Sequence, residues 1–127
     1  MSNLPEQPGK PRYRVAEATS AENAEAVFAG SDIHAIVQAL IDGSRCLGEE
    51  WACKCGARFL NHVDAEVRWA ALFAIDQGRG YLCDHVIRDK FEPVFAIVEL
   101  AKNDPNDTVR RFAVDTLSDI IGCLRRG

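Results

Sequence analysis

The sequence predicts an all-α fold of helical hairpins packed side by side, and three observations lead there. The stretch Asp64-Ala65-Glu66-Val67-Arg68-Trp69-Ala70-Ala71-Leu72-Phe73-Ala74-Ile75 recurs in outline between Asp104 and Leu117, with Val67-Arg68 on Val109-Arg110, Ala71 on Ala113 and Ile75 on Leu117. A fainter copy, Asp32 to Ile41, sets Ile33 on Val67, Val37 on Ala71 and Ile41 on Ile75. The resulting offsets, 34 and 42 residues, are of the size that marks stacked helical units. Apolar residues between the Gly, Pro and Asp punctuation also recur at three-and-four spacing, the period of one helix face.

Taken in order, residues 1–18 read as a flexible N-terminal arm, with Pro5, Pro8 and Pro11 among Lys10, Arg12 and Arg14. Residues 19–127 form the folded domain. Thr19 to Ala29 is a first helix, capped by Ser20 and ended by Gly30. Ser31 or Asp32 caps a second helix with Ile33, Ile36, Val37, Leu40 and Ile41 on one face, and Gly43-Ser44 is expected to stop it. A third helix runs from about Gly48 to His62 with Trp51, Cys55 and Phe59 inward. The fourth follows Asp64 and is apolar around nearly its whole circumference, which places it in the middle of the molecule. Residues 76–90 read as an insertion hinged at Gly78 and Gly80, with a short helical turn around Tyr81–Ile87. Phe91 to Lys102 is a fifth helix with Pro93 in its first turn. Asp104-Pro105 opens the sixth by the cap-then-proline signal. Its stripe is Val109, Ala113, Thr116/Leu117, Ile120/Ile121 and Leu124.

Composition narrows the function classes. The chain has 127 residues, 47% hydrophobic and 27% charged, which suits one globular domain. No apolar run approaches a membrane span, and the N-terminus lacks the apolar core of a signal peptide. Five cysteines in apolar helical settings read as reduced core thiols, and a cytoplasmic location is expected. The net charge is −4; residues 1–15 contribute +2, so residues 16–127 carry −6. A body of that sign disfavours nucleic acid and favours a basic protein partner.

Aspartate followed by Val-Arg, with Ala four residues after Val and Ile or Leu four further on, resembles the HEAT repeat, in particular the short bacterial subtype of bilin-lyase-like proteins. The resemblance rests on Asp64–Ile75 and Asp104–Leu117 and extends by periodicity over residues 20–125. It implies a right-handed α-solenoid of about three hairpins. It also implies that Arg68 and Arg110 are structural, each pairing with a carboxylate in a neighbouring inter-repeat turn. The first copy has His34 at the arginine position and is expected to be a capping unit.

Two clusters invite a chemical reading. Cys53-Lys54-Cys55, with Cys46 and His62 nearby, has metal-ligand residue types. Residues two apart on a helix point away from each other, so no metal is expected there. Cys83-Asp84-His85 pairs a thiol with an imidazole, but the chain offers no evident oxyanion site, so neither catalysis nor a cofactor is expected. The expected docking surface is the insertion with the fifth helix. Arg79, Tyr81, Arg88, Phe91 and Phe95 are residue types that dominate interfaces, and His85 lies among them. Asp84, Asp89, Glu92 and Glu99 supply negative charge.

The resulting expectation is a non-catalytic protein-binding module. Its most specific form is a HEAT-like bacterial immunity protein that neutralises a cognate, basic toxin. A scaffold or adaptor and a bilin-lyase-like accessory protein are the alternatives.

Overall fold

A computed structural model describes residues 20–82 and 93–126. Six helices are labelled among the described residues: α1 (Ala21–Phe28), α2 (Ile33–Cys46), α3 (Glu49–Arg58), α4 (Ala65–Gln77), α5 (Pro93–Asn103) and α6 (Asp107–Arg126). Residues 79–82 are helical as well, and among the described residues there is no strand. The fold is all-α, as expected. No helix among the described residues is long and apolar enough to cross a membrane. The arm lies outside the described residues.

Short polar side chains start the helices by taking up N–H groups that have no carbonyl partner. Ser20 Oγ accepts from Asn23 N, Asp32 Oδ1 from Ala35 N, and Asp64 Oδ1 from Glu66 N and Val67 N. Gly48 enters α3 at φ 98°, a left-handed value that favours glycine.

Packing centres on α4, which lies against α2, α3 and α6; α1 packs on α2, α2 on α3, and α5 on α6. Two cores meet across it. Val67 and Ala70 close one core with Ile36, Val37, Leu40 and Cys55. Ala71, Leu72 and Ile75 join the other with Leu82, Ile97, Val109, Ala113 and Ile120. Being apolar on both sides is what allows α4 to serve two cores at once. Helix α1 is also tied to α3 by a two-pronged ion pair of Arg58 with Glu25. Hydrogen bonding to Arg58 holds the Glu25 carboxyl below its ordinary range.

Several expectations need correction. Gly43-Ser44 does not stop α2, which runs on to Cys46. Gly43 sits directly beneath the Trp51 ring and Ser44 Oγ donates to Ile41 O, so here glycine permits close packing rather than termination. The third helix ends at Arg58 rather than His62. Asp104 does not cap α6; Asn106 Oδ1 accepts from Val109 N instead. Residue 76 does not begin the interruption, because α4 continues through Gln77.

The repeat register shifts too. The buried positions Ile36, Ala39, Leu40, Gly43 and Ser44 of α2 match Val67, Ala70, Ala71, Ala74 and Ile75 of α4 at a constant offset of 31 residues. Val37, not His34, therefore occupies the place of Arg68. Letter matching favoured Ile33 on Val67, but Ile33 is only half-buried, and burial rather than identity defines equivalence.

The reading of five reduced core thiols fails at two positions. Cys123, near the end of α6, is disulfide-bonded. Cys46 is free but exposed, whereas Cys53 and Cys55 are free and buried. An apolar setting along the sequence does not reveal which thiols approach one another.

Close approach of α3 and α4 depends on Gly56. A Cβ built there would lie 2.7 Å from Ala71 O and 2.8 Å from Ile75 Cγ1. Backbone cannot yield as a flexible side chain can, so Gly56→Ala should cost about 1–3 kcal/mol despite the better helix propensity of alanine. Urea unfolding of the variant checks this, and an unchanged midpoint would contradict it.

Candidate functional site

Arg68, near the start of α4, reaches across to the turn between α5 and α6. Its Nε and Nη2 meet Asp104 Oδ2 and Oδ1 at 2.7 and 3.0 Å, a bidentate pair across the junction. Its Nη1 donates to the carbonyls of His62 and Val63 at 2.9 and 3.0 Å. The side chains are only 11% and 2% exposed, so the pair is shielded from water. Burial pushes the Asp104 carboxyl up, but hydrogen bonds from Arg68 and from Asn106 N outweigh it, and the group titrates below its usual range. Arg110 repeats part of this geometry: its Nη1 donates to Asp104 O, six residues back as His62 is from Arg68. Its own ion pair is with Asp107, within the same helix. The structural role expected of Arg68 thus has a defined partner, whereas Arg110 lacks an equivalent inter-hairpin carboxylate among the described residues.

The cysteine-rich segment of α3 divides between the two cores. Cys53 belongs to the one with Leu72 and Ile97, Cys55 to the one with Ile36 and Leu40. Cys53 donates its S–H to Gly78 O at 3.0 Å, and burial pushes the thiol up to about 12. Burial likewise raises Cys55. Thiols held protonated are poor nucleophiles and poor metal ligands. His62 Nδ1 accepts from Asp64 N, so this ring too is engaged in local structure.

Of the ten residues expected to dock a partner, Asp84, His85, Arg88, Asp89, Phe91 and Glu92 lie outside the described residues, as does Cys83. The other four do different things. Tyr81 is half-buried against the larger core, with Lys54 Nζ 6.0 Å from its ring centre. Arg79 is held between Asp76 at 3.2 Å and Asp119 at 3.7 Å. Phe95 is 73% exposed on α5. Glu99, one turn on, accepts from Asn103 Nδ2. Arg79 thus belongs to the α4–α6 groove, whereas Phe95 and Glu99 share the exposed face of α5.

The more developed surface is one that sequence reasoning did not select. Trp69 and Phe73 of α4 stack with ring centres 5.7 Å apart, and Phe112 of α6 lies 5.3 Å from Trp69; Trp69 also packs against both cores and Phe112 against the larger one. All three are only partly buried. The guanidinium of Arg45, exposed at the end of α2, lies 5.3 Å above Phe73. Two turns further along both helices, Asp76 and Asp119 are bridged by Arg79, whose Nη1 lies 3.2 Å from the one and 3.7 Å from the other. The step is seven residues on each helix, from Trp69 to Asp76 and from Phe112 to Asp119, so α4 and α6 run alongside in register. The seam between the two helices is thus aromatic at one end and acidic at the other. The available signal is the four-residue spacing of Trp69 and Phe73 opposite the Val67/Ala71 stripe, which periodicity alone assigns to burial.

Asp76 is pushed above the ordinary carboxyl range, first by burial and then by Asp119, with Arg79 opposing both. A raised carboxyl favours the folded state only while protonated, so its stabilising contribution disappears as pH rises through the folded value. Asp76→Asn should therefore gain up to about 1 kcal/mol at pH 7, with no gain below about pH 4. Thermal melts at the two pH values measure this; a loss at pH 7 would show that the Arg79 pair dominates.

Comparisons with protein-family models, with curated proteins and with solved structures find no match to this chain.

Proposed function

We propose that the helices pair as three hairpins, α1–α2, α3–α4 and α5–α6, stacked as a right-handed HEAT-like α-solenoid that serves as a non-catalytic protein-binding module. The packing of α4 on both α2 and α6 supports the stack, as does the Arg68–Asp104 pair between the second and third hairpins. The observation that carries the binding reading is the partly buried aromatic row of Trp69, Phe73 and Phe112 with Arg45 alongside. Trp and Arg anchor interfaces because they bury large area and polar reach together, and a contiguous aromatic row that keeps some exposed area gains by being covered.

Within that class the chain is best read as an immunity protein that binds and neutralises a basic bacterial toxin. The net charge of −4 supports it, since an acidic inhibitor captures a cationic target faster than random collision. Co-expression with toxins encoded beside it should restore growth, and the purified pair should associate more slowly as salt increases. Stable association without protection would move the reading to a scaffold or adaptor. No association with any neighbouring product would remove the immunity reading.

A further inference from the structure

We propose that the groove between α4 and α6 takes a basic amphipathic segment of a partner protein, its apolar side chains on Trp69, Phe73 and Phe112 and its cations over Asp115 and Asp119. This rests on the protein-binding reading and names the chemistry of the partner. Two contacts fix the groove: Trp69 with Phe112 at one end, and Arg79 with both Asp76 and Asp119 at the other. Asp115 lies between Phe112 and Asp119 on α6, three residues beyond the one and four before the other, and is exposed. Arg79 thus sets one positive charge against the two carboxylates it pairs with, and Asp115 adds a third negative charge on α6.

Charge complementarity selects the occupant. Arg79 stands between two carboxylates and leaves the acidic end with an excess of negative charge, so an acidic or neutral segment would gain nothing there. A nucleic acid would be repelled by the same carboxylates. The aromatic end accepts cations as well as apolar side chains, since Arg45 already lies over the Phe73 ring. A second copy of this chain, itself acidic, is a poorer match than a basic segment.

The test uses the full chain and a fluorescein-labelled amphipathic helix of leucine and lysine, with the same peptide carrying glutamate for lysine as control. The lysine peptide should bind, and the Trp69 indole signal in the ¹H–¹⁵N spectrum should move while that of Trp51 stays. Asp115→Asn/Asp119→Asn should weaken binding at least about tenfold. Glu22→Gln/Glu99→Gln, which removes as much exposed charge elsewhere, should leave it within about twofold. Equal loss in both double variants, tighter binding of the glutamate peptide, or shifts confined to α5 would overturn the groove. Spectral changes with protein concentration alone would assign the groove to a second copy and overturn the proposal. A natural partner that binds the Asp115→Asn/Asp119→Asn variant normally would remove the groove while leaving the protein-binding reading intact.

Discussion

Replacing Asp104 with alanine should destabilise the protein by about 3–5 kcal/mol, because it strands a guanidinium in a nearly dry junction. Arg68 is 11% exposed and has no second carboxylate to turn to among the described residues, only the His62 and Val63 carbonyls. Arg68→Met should cost a similar amount, since it leaves Asp104, 2% exposed, with the Asn106 N–H as its remaining side-chain hydrogen bond. The double variant should lose clearly less than the two single losses combined, as neither charge is then left alone. Against a typical total of about 5–15 kcal/mol, each single variant would stand close to unfolding at ambient temperature.

Acid should show the same contact in another way. The Asp104 carboxyl is held below its ordinary range, so its contribution is present above the unfolded value and is lost as pH falls through the folded one. Wild-type stability should therefore fall more steeply below about pH 4 than that of Asp104→Asn. Urea titrations across pH measure both slopes. Parallel curves, or single losses that simply add in the double variant, would show that the pair does not hold the hairpins together.

The second large effect is expected at Leu72, which is fully buried in the larger core beside Ile75 and Ile97. Leu72→Ala should cost about 2–5 kcal/mol, the transfer loss of the side chain plus the cavity it leaves. Phe95→Ala is the informative contrast. Phe95 is a larger side chain but is 73% exposed, and its truncation should change stability by no more than about 0.5 kcal/mol. A large loss at Phe95 with a small one at Leu72 would contradict the assignment of faces on α4 and α5.

Sequence patterning revealed the helices because each depends on neighbours a few residues away. Asp64 as a cap, Pro93 at the start of α5 and the double-sided α4 are local signals of this kind. Endings were less legible. Gly43 looked like a stop, yet glycine serves close packing as readily as termination, and only the Trp51 ring above it distinguishes the two. The Asp104-Pro105 signal misled for a related reason, since a carboxylate ahead of a helix can face inward to a distant cation as well as along its own backbone.

The candidate site was legible only in part. Arg79 stands out by residue type and pairs with Asp76 and Asp119, whereas Phe95 and Glu99 lie on the exposed face of α5. Trp69 reads as core and does pack against both cores, but its remaining partial exposure beside Phe73 and Phe112 depends on where α6 lies, which periodicity does not reveal.

The sequence by itself determined that the chain is all-α, where most helices begin, and that α4 is the central one, because propensity, capping and periodicity act over a few residues. Only the tertiary structure decided that Asp104 answers Arg68 from 36 residues away, that the buried positions of α2 and α4 match at an offset of 31 residues, and that Trp69, Phe73 and Phe112 form one partly buried row. Such relations depend on how helices lie against one another, and side-chain pairing across a junction leaves no mark in local periodicity.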